Sequence, residues 1–358
     1  MFHPDNPVKS FLCGESIIRK ELSLSSDTDN QDSIVAEFAY SFHANEPRPT
    51  LDPPRPVSFP SQVEKLFDIR AVIFDVYGTL LRYWKPEFSS ETGKEQALQR
   101  SFRKTADYFG ITPFLEKMNA EEPPEKTLKD LYQGLIALNH EKSLKKGLSY
   151  PEVRIEEIWG VILLMLKRHG YDPASAQLGE ERDLAKCMAY HYNGTALGRG
   201  LYPGVASSLL ALKNNNLQLG IVSNAQFYTP IDLTLFLRDQ NEGIDDYREL
   251  FEEDLVVYSS IEGVAKPNPA LFQRLFDSLY EYHILPEQTV YVGNDLSQDV
   301  RPAKRAGMRT AFFAGDAQSA FFHDLAGEVE PDITFADFNE LPERICFFSE
   351  KQTDGGAA

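Results

Sequence analysis

The stretch from residue 71 to residue 81 constrains the fold more than any other part of the chain; it reads AVIFDVYGTLL. Four apolar residues run directly into a single carboxylate, Asp75, and then into a turn that contains Gly78 and Thr79. A continuous apolar run of this length is typical of a strand buried on both faces of a parallel sheet. Such sheets bind ligands beyond the carboxyl ends of their strands. Asp75 is therefore a candidate nucleophile or metal ligand, with a turn or helix-capping aspartate as the alternative.

The sequence after residue 201 alternates between strand and helix patterns. This alternation predicts an α/β fold with a doubly wound, parallel, Rossmann-like sheet and right-handed crossovers. The predicted strands after the first are 217–222, 255–260, 289–295, 310–314 and a short one at 332–335, and the predicted helices are 205–213, 269–282 and 299–306.

Between the first strand and this region, apolar residues recur at helical spacing. They predict four helices, near residues 97–109, 128–138, 149–166 and 184–190, and the third helix is expected to begin at Ser149 with Pro151 in its first turn. We therefore expect four parts in the chain. These are an N-terminal extension (1–66), partly disordered and with a short strand at 34–42; a core (67–84 and 201–345); an inserted helical domain (85–200); and a C-terminal tail (346–358).

Charge and composition narrow the possible partners. A formal net charge of -18 and a pI of about 4.9 argue against a nucleic-acid partner. The three cysteines show neither metal-ligand spacing nor a disulfide framework. The chain has neither a secretory leader pattern nor an apolar run long enough to cross a bilayer, so we expect a soluble cytoplasmic protein without a membrane partner. The oligomeric state is left open.

Polar residues follow four of the predicted strands or the loops between them. They are Asp75 to Thr79, Ser223 with Asn224, Lys266 with Pro267, and Asp295 with Asp299. Because the carboxyl ends of parallel strands meet at one edge of the sheet, we expect these residues to lie together. Carboxylates, hydroxyls, an amide and one cation suit an acid nucleophile, a hard metal ion and an anionic small-molecule substrate.

In this order the motifs resemble the haloacid dehalogenase-like hydrolase superfamily. The resemblance covers residues 70 to 315, with the helical insertion where that family places its cap domain. The matching segments are DVYGTL at 75–80, YPGV at 202–205, SN at 223–224, GVAKP at 263–267 and GNDLSQD at 293–299.

The resemblance implies specific roles for the motif residues. Asp75 is implied as the covalent nucleophile, which divides one difficult displacement into two easier ones. Thr79 is implied to position the loop, and Ser223 and Asn224 to bind the transferring group. Lys266 is implied to neutralise charge on the nucleophile and the substrate.

In phosphatase members of that superfamily Mg²⁺ is the cofactor. The resemblance implies that it is held here by Asp75, the backbone carbonyl of Tyr77, Asp295 and Asp299. Further candidate contacts to the substrate are Gln226, Phe227 and Tyr228, which follow the SN segment at 223–224, and Tyr83, Trp84 and Lys85, which follow the turn after Asp75.

The chain departs from the phosphatase pattern at Tyr77. Phosphatase members carry an aspartate there, which acts as a general acid and base, whereas tyrosine at this position resembles the 2-haloacid dehalogenase branch. Three hypotheses remain: a Mg²⁺-dependent hydrolase of a phosphorylated small molecule, a metal-independent dehalogenase, or a non-catalytic binding protein. A dehalogenase would need an arginine for the substrate carboxylate, and Arg82, Arg100 and Arg103 are among the candidates.

Overall fold

The computed structural model describes residues 31–45, 53–83, 90–241 and 243–347. It divides into two compact units. One contains the described residues of Met1–Pro49, Lys85–Leu148 and Val153–Leu197, and the other contains those of Thr50–Trp84, Ser149–Glu152 and Gly198–Ala358. None of the described helices is both long enough and apolar enough to span a membrane.

The second unit is built on a six-stranded parallel sheet with the strand order β6-β5-β2-β7-β8-β9. The expected α/β fold is confirmed. The described strands, in chain order, are β1 (Leu66–Ile69), β2 (Ala71–Phe74), β3 (Leu81–Arg82), β4 (Gly200–Leu201), β5 (Gln218–Ser223), β6 (Val256–Tyr258), β7 (Thr289–Gly293), β8 (Arg309–Phe313), β9 (Ile333–Phe335) and β10 (Ile345–Phe347). Outside the main sheet, β1 pairs with β10 in parallel and β3 pairs with β4 in antiparallel orientation.

The described α-helices are α1 (Gln31–Asn45), α2 (Glu91–Tyr108), α3 (Thr112–Met118), α4 (Pro124–Lys145), α5 (Ile155–Arg168), α6 (Glu181–Ala196), α7 (Val205–Asn214), α8 (Thr229–Gln240), α9 (Ser259–Glu262), α10 (Pro269–Glu281), α11 (Arg301–Arg305) and α12 (Leu341–Arg344). Helices α1 to α6 belong to the first unit, and the others belong to the second.

Strand β2 lies at the centre of the sheet. All four of its residues are apolar, which suits this position, and all four are buried. It pairs with β5 on one side and with β7 on the other. Gly220 lets β5 approach its neighbours closely, since a Cβ atom there would lie 2.6 Å from the carbonyl oxygen of Leu255. Helix α10 covers one face of the sheet with Leu271, Phe272 and Leu275, whose helical spacing was visible in the sequence.

Residues 34–42 form part of helix α1, so the predicted strand there is wrong. Val35, Phe38 and Ala39 are buried, and their spacing is that of one helix face. Among the described residues before 66, helix α1 belongs to the first unit, and Val57, in the second, donates a backbone hydrogen bond to Ala314. The predicted disorder falls in part on residues 1–30, which lie outside the described residues, as does the tail from residue 348.

The third helix of the first unit begins at Ile155, not at Ser149 as predicted. Residues 149–152 instead pair with the loop before Lys266: the backbone N–H of Glu152 donates to Gly263, and that of Ala265 donates to Tyr150. These bonds replace the first turn of a helix. Strand β6 also ends two residues early because Ser259 begins helix α9, and the segment predicted as helix 299–306 starts with a π-helical turn, Leu296–Val300.

Candidate active site

Asp75 lies at the carboxyl end of β2, between β5 and β7. Its backbone N–H donates to the carbonyl of Val292 at 2.9 Å, which continues the pairing with β7 by one residue. The chain then turns sharply at Gly78, whose φ of 88° belongs to the left-handed region that favours glycine. A Cβ atom at Gly78 would lie 2.5 Å from the side-chain nitrogen of Asn294. Both the turn and the close approach therefore require glycine.

The Asp75 carboxylate is held by three side chains and is only 7% exposed. Its Oδ1 accepts hydrogen bonds from the Ser223 hydroxyl at 2.9 Å and from the Lys266 ammonium at 2.7 Å. Its Oδ2 faces the Thr79 hydroxyl at 3.4 Å, and Thr79 makes a shorter bond, 2.8 Å, to Asn294 Oδ1. Oδ2 is thus the less engaged of the two oxygens.

Lys266 joins two carboxylates in the interior of the site. Its ammonium donates to Asp75 at 2.7 Å, to Asp299 at 2.5 Å and to the Tyr291 hydroxyl at 3.1 Å, and the side chain is 3% exposed. Burial acts to lower the pKa of Lys266, but the negative charges of Asp299 and Asp75 raise it well above its usual range. Lys266 is therefore a fixed cation at neutral pH.

Asp299 uses both of its carboxylate oxygens within the protein. Oδ1 accepts from Lys266 and lies 3.4 Å from the Tyr291 hydroxyl, and Oδ2 accepts from the backbone N–H groups of Asn294 at 3.1 Å and Asp295 at 3.0 Å. Burial raises the pKa of Asp299 to about 7, and the neighbouring Lys266 acts in the opposite direction. This residue ties the lysine to the loop that follows β7.

Asn224 connects two loops. Its Oδ1 accepts the backbone N–H of Lys266 at 2.7 Å, and its Nδ2 donates to Gln298 at 3.1 Å. The amide therefore fixes the loop that carries Lys266 against the loop after β7.

Asp295 caps the π-helical turn that follows it. Its Oδ1 accepts from the backbone N–H groups of Ser297 at 2.7 Å and Gln298 at 2.9 Å. His323 Nε2 lies 3.0 Å from both oxygens of the same carboxylate. Among the residues that the structure describes, no group of three or more His, Cys, Asp and Glu side chains forms a metal cluster.

The Tyr77 hydroxyl contacts Thr229 at 3.0 Å. It also interacts with Arg199, which forms a buried ion pair with Asp232. Burial raises the pKa of Tyr77 above its usual value, and the charge of Asp232 acts in the same direction. Tyr77 is therefore a neutral phenol at any pH at which the protein would be assayed.

The other candidate contacts differ in their surroundings. Gln226 and Phe227 are half-buried, and the buried ring of Tyr228 lies under the Arg199 guanidinium at 5.6 Å. Burial raises the pKa of Tyr83 to about 12, and the charges of Asp75, Asp295 and Asp316 act in the same direction. Trp84 and Lys85 lie outside the described residues.

Sequence reasoning missed several residues of this network. Asn294 was visible within the GNDLSQD segment at 293–299, but its hydrogen bond with Thr79 was not. Tyr291 was visible as a polar residue in an apolar strand. Nothing in the sequence pointed to His323 or to the Arg199–Asp232 pair, because neither belongs to a recognisable motif.

Comparison with known proteins bears directly on this arrangement. The family model for haloacid dehalogenase-like hydrolases matches residues 69–307, which include all five matching segments, from DVYGTL at 75–80 to GNDLSQD at 293–299. The chain belongs to the haloacid dehalogenase-like hydrolase family. The resemblance inferred from the motifs is thereby confirmed.

Curated relatives resemble only part of the chain. The glyceraldehyde 3-phosphate phosphatase of Pyrococcus furiosus is 32% identical over 129 residues, which is 36% of this chain and 48% of the relative. The enzyme of the same name from Methanopyrus kandleri is 33% identical over 147 residues, 41% of this chain and 55% of the relative. The chain thus spans about half the length of the curated relatives it matches.

Two solved structures also resemble this protein. A 2-haloacid dehalogenase from Pseudomonas syringae pv. Tomato has 22% identity and a TM-score of 0.47, and covers 77% of this chain and 97% of its own. A HAD phosphatase from Thermococcus onnurineus has 16% identity and a TM-score of 0.41 with the same coverage. Neither likeness supports an argument about function.

Proposed function

We propose that this protein is a phosphatase that hydrolyses a small phosphorylated molecule with Asp75 as its nucleophile. The observation that carries this proposal is the arrangement of the Asp75 carboxylate. Oδ1 is fixed by Ser223 and Lys266, whereas among the described residues Oδ2 receives only the long contact from Thr79. A carboxylate that is held in place through one oxygen, while the other makes only a long contact, suits nucleophilic attack.

The relatives support a phosphoryl group as the group that Asp75 attacks. The curated proteins that match this chain are named glyceraldehyde 3-phosphate phosphatase, and the family model that covers residues 69–307 is that of haloacid dehalogenase-like hydrolases. Because they share only about half of their length with this chain, we extend the similarity to the substrate class, a small phosphorylated molecule, and not to the individual substrate.

The charge of the site supports a divalent cation. Lys266 lies between Asp75 and Asp299, and Asp295 lies on the neighbouring loop. The three carboxyl groups therefore carry more negative charge than this one lysine can balance. A phosphate anion would be repelled unless a metal ion balanced these charges. Mg²⁺ commonly uses one or two protein carboxylates together with water and substrate oxygens, so a cluster of three acids is not required.

For the metal we propose Asp75, the carbonyl oxygen of Tyr77 and Asp295 as ligands. Asp299 is a poorer candidate than the sequence suggested, since its two oxygens accept from the buried Lys266 ammonium and from two backbone N–H groups, whereas Asp295 Oδ2 meets only the side chains of Gln298 and His323 among the described residues. We assign it the role of holding Lys266. When bound, Mg²⁺ would act as a Lewis acid toward the phosphoryl oxygens.

In the proposed reaction Asp75 Oδ2 forms a bond to phosphorus while the ester P–O bond breaks. The leaving oxygen departs with the bonding electrons and takes a proton from water, and a water molecule then hydrolyses the aspartyl phosphate. Lys266 stabilises the negative charge throughout. Because Tyr77 stands where a general acid is expected and its hydroxyl is bound to Thr229, we expect a preference for substrates with good leaving groups.

Tyr77 also favours one alternative, a 2-haloacid dehalogenase. In that reaction Asp75 would attack carbon, and a halide ion would leave without needing a proton. Neither a general acid nor a metal would then be required, which suits a phenol in this position.

The test is hydrolysis of p-nitrophenyl phosphate, whose leaving group departs without protonation. Wild type is compared with Asp75→Asn and with Asp324→Asn, an exposed aspartate outside the site, in Mg²⁺ and in EDTA. We expect turnover with Mg²⁺, loss of at least ~10³-fold in Asp75→Asn, and no change in the control. Halide release from 2-chloropropionate without phosphate hydrolysis would establish the alternative, and absence of both activities would favour a binding protein.

A further inference from the structure

A cavity of about 510 Å³ lies in the sheet-containing unit, beside helices α10 and α11. Its volume is within the range of small-molecule sites. Phe272 and Phe276 of α10, Pro267 and Tyr150 form its apolar walls. None of Asp75, Ser223 and Asp295 lines it, so this cavity is a different place from the candidate active site.

The cavity is positively charged, although the whole chain is strongly acidic. Arg301 and Arg305 line it from one face of α11, and none of the lining residues is an aspartate or a glutamate. Arg301 donates to the Ser297 hydroxyl at 3.1 Å, and neither guanidinium has an ion pair with a residue that the structure describes. In a chain with a formal net charge of -18, two arginines without acidic partners in one cavity favour an anionic occupant.

Tyr150 is held over the cavity in an unfavourable backbone conformation. Its φ is 53°, which residues with a side chain rarely adopt, and the residue is 54% exposed. The carbonyl of Tyr150 accepts from Ala265 at 2.8 Å, and the carbonyl of Ser149 accepts from Asn268 at 2.7 Å. These bonds hold the backbone that carries an exposed aromatic ring, in a cavity that Arg301 and Arg305 also line without an ion pair to a described residue.

We propose that this cavity binds a small aromatic anion, that is, a flat ring that carries a phosphate, sulfonate or carboxylate group. The ring lies against Tyr150 and Phe276, where aromatic and proline surfaces exclude water. The anion accepts hydrogen bonds from Arg301 and Arg305, whose guanidinium groups suit oxyanions. Because this proposal concerns binding outside the active site, it does not depend on the phosphatase activity.

The test is isothermal titration calorimetry of the full chain with three probes. Naphthalene-1-sulfonate carries both ring and charge, 1-naphthalenemethanol carries only the ring, and methanesulfonate carries only the charge. We expect the first to bind at least about tenfold more tightly than either of the others, because only it satisfies both parts of the cavity.

Variants then locate the binding. The double variant Arg301→Gln/Arg305→Gln removes the charge and Tyr150→Gly removes the ring while keeping the backbone conformation; each should weaken naphthalene-1-sulfonate binding by about tenfold or more. Arg309→Gln is the matched control, since Arg309 is an exposed arginine that does not line the cavity, and it should change the affinity by less than about twofold.

Circular dichroism melting checks that each variant is folded, and Tyr150→Gly tests the proposal even if the double arginine variant does not fold. The proposal is overturned if the sulfonate does not bind wild type, if it binds no better than the uncharged alcohol, or if folded cavity variants bind it as wild type does.

Discussion

Replacing Asp299 with asparagine tests the network that holds Lys266. The carboxylate accepts from Lys266 on one oxygen and from the backbone N–H groups of Asn294 and Asp295 on the other. An asparagine side chain has a single acceptor oxygen, so its NH₂ group must face donors on one of the two sides. Either the two backbone groups or the Lys266 ammonium then lose their acceptor.

The cost follows from these contacts. A buried donor without an acceptor costs about 1–3 kcal/mol, and breaking one partner of a buried ion pair costs about 3–5 kcal/mol. Because Lys266 keeps Asp75 as a second acidic partner, the variant leaves no buried charge unpaired, and we expect Asp299→Asn to lower the free energy of unfolding by about 1–3 kcal/mol, the cost of the donors that lose their acceptor. Turnover should also fall, because Lys266 would no longer be fixed against Asp75.

The measurement is urea unfolding followed by circular dichroism at pH 8.5. This pH lies above the value of about 7 to which burial raises the pKa of Asp299, so the wild-type side chain is charged. Asp324→Asn makes the same chemical change on the surface and should alter stability by no more than about 0.5 kcal/mol. A loss in Asp299→Asn below about 1 kcal/mol, close to the control, would refute the reasoning.

Three further predictions use matched pairs of variants or substrates. Gly78→Ala and Gly327→Ala both place a side chain at a φ of 88°, which costs about 1–2 kcal/mol of stability. Only Gly78→Ala should abolish turnover, because its Cβ atom would lie 2.5 Å from the side chain of Asn294, whereas a Cβ atom at Gly327 would have no neighbour within 4 Å. Arg199→Met should lower the free energy of unfolding by about 3–5 kcal/mol, because the ion pair between Arg199 and Asp232 is buried. Arg248→Met should lower it by at most about 1 kcal/mol, because the Arg248 side chain is 69% exposed. Equal losses in urea unfolding would contradict this. Tyr77→Phe should slow p-nitrophenyl phosphate and glycerol phosphate hydrolysis to the same extent, and a selective loss for glycerol phosphate, the poorer leaving group, would show instead that the phenol donates a proton.

The two units differ in how well the sequence revealed them. In the sheet-containing unit, strands such as Ala71–Phe74 are short apolar runs that end at polar motif residues, and the parallel topology then brings the motifs together. In the first unit, the segment around Val35 was predicted as a short strand but is helical, because Val35, Phe38 and Ala39 have the spacing of one buried helix face.

The sequence by itself determined the family, the order of the motifs and the carboxylate that heads them. It could do so because these signals are local. An apolar strand is followed by an acid and then by a turn whose backbone conformation favours glycine at position 78.

Only the tertiary structure decided which of these groups touch and which do not. Tyr77 bonds to Thr229 across 152 positions of sequence, Lys266 is shared by two carboxylates from different loops, and residues 149–152 pair with the loop before Lys266 and do not begin a helix. Such contacts depend on how distant segments pack and on which buried polar groups must find partners, and neither is encoded in any single stretch of the chain.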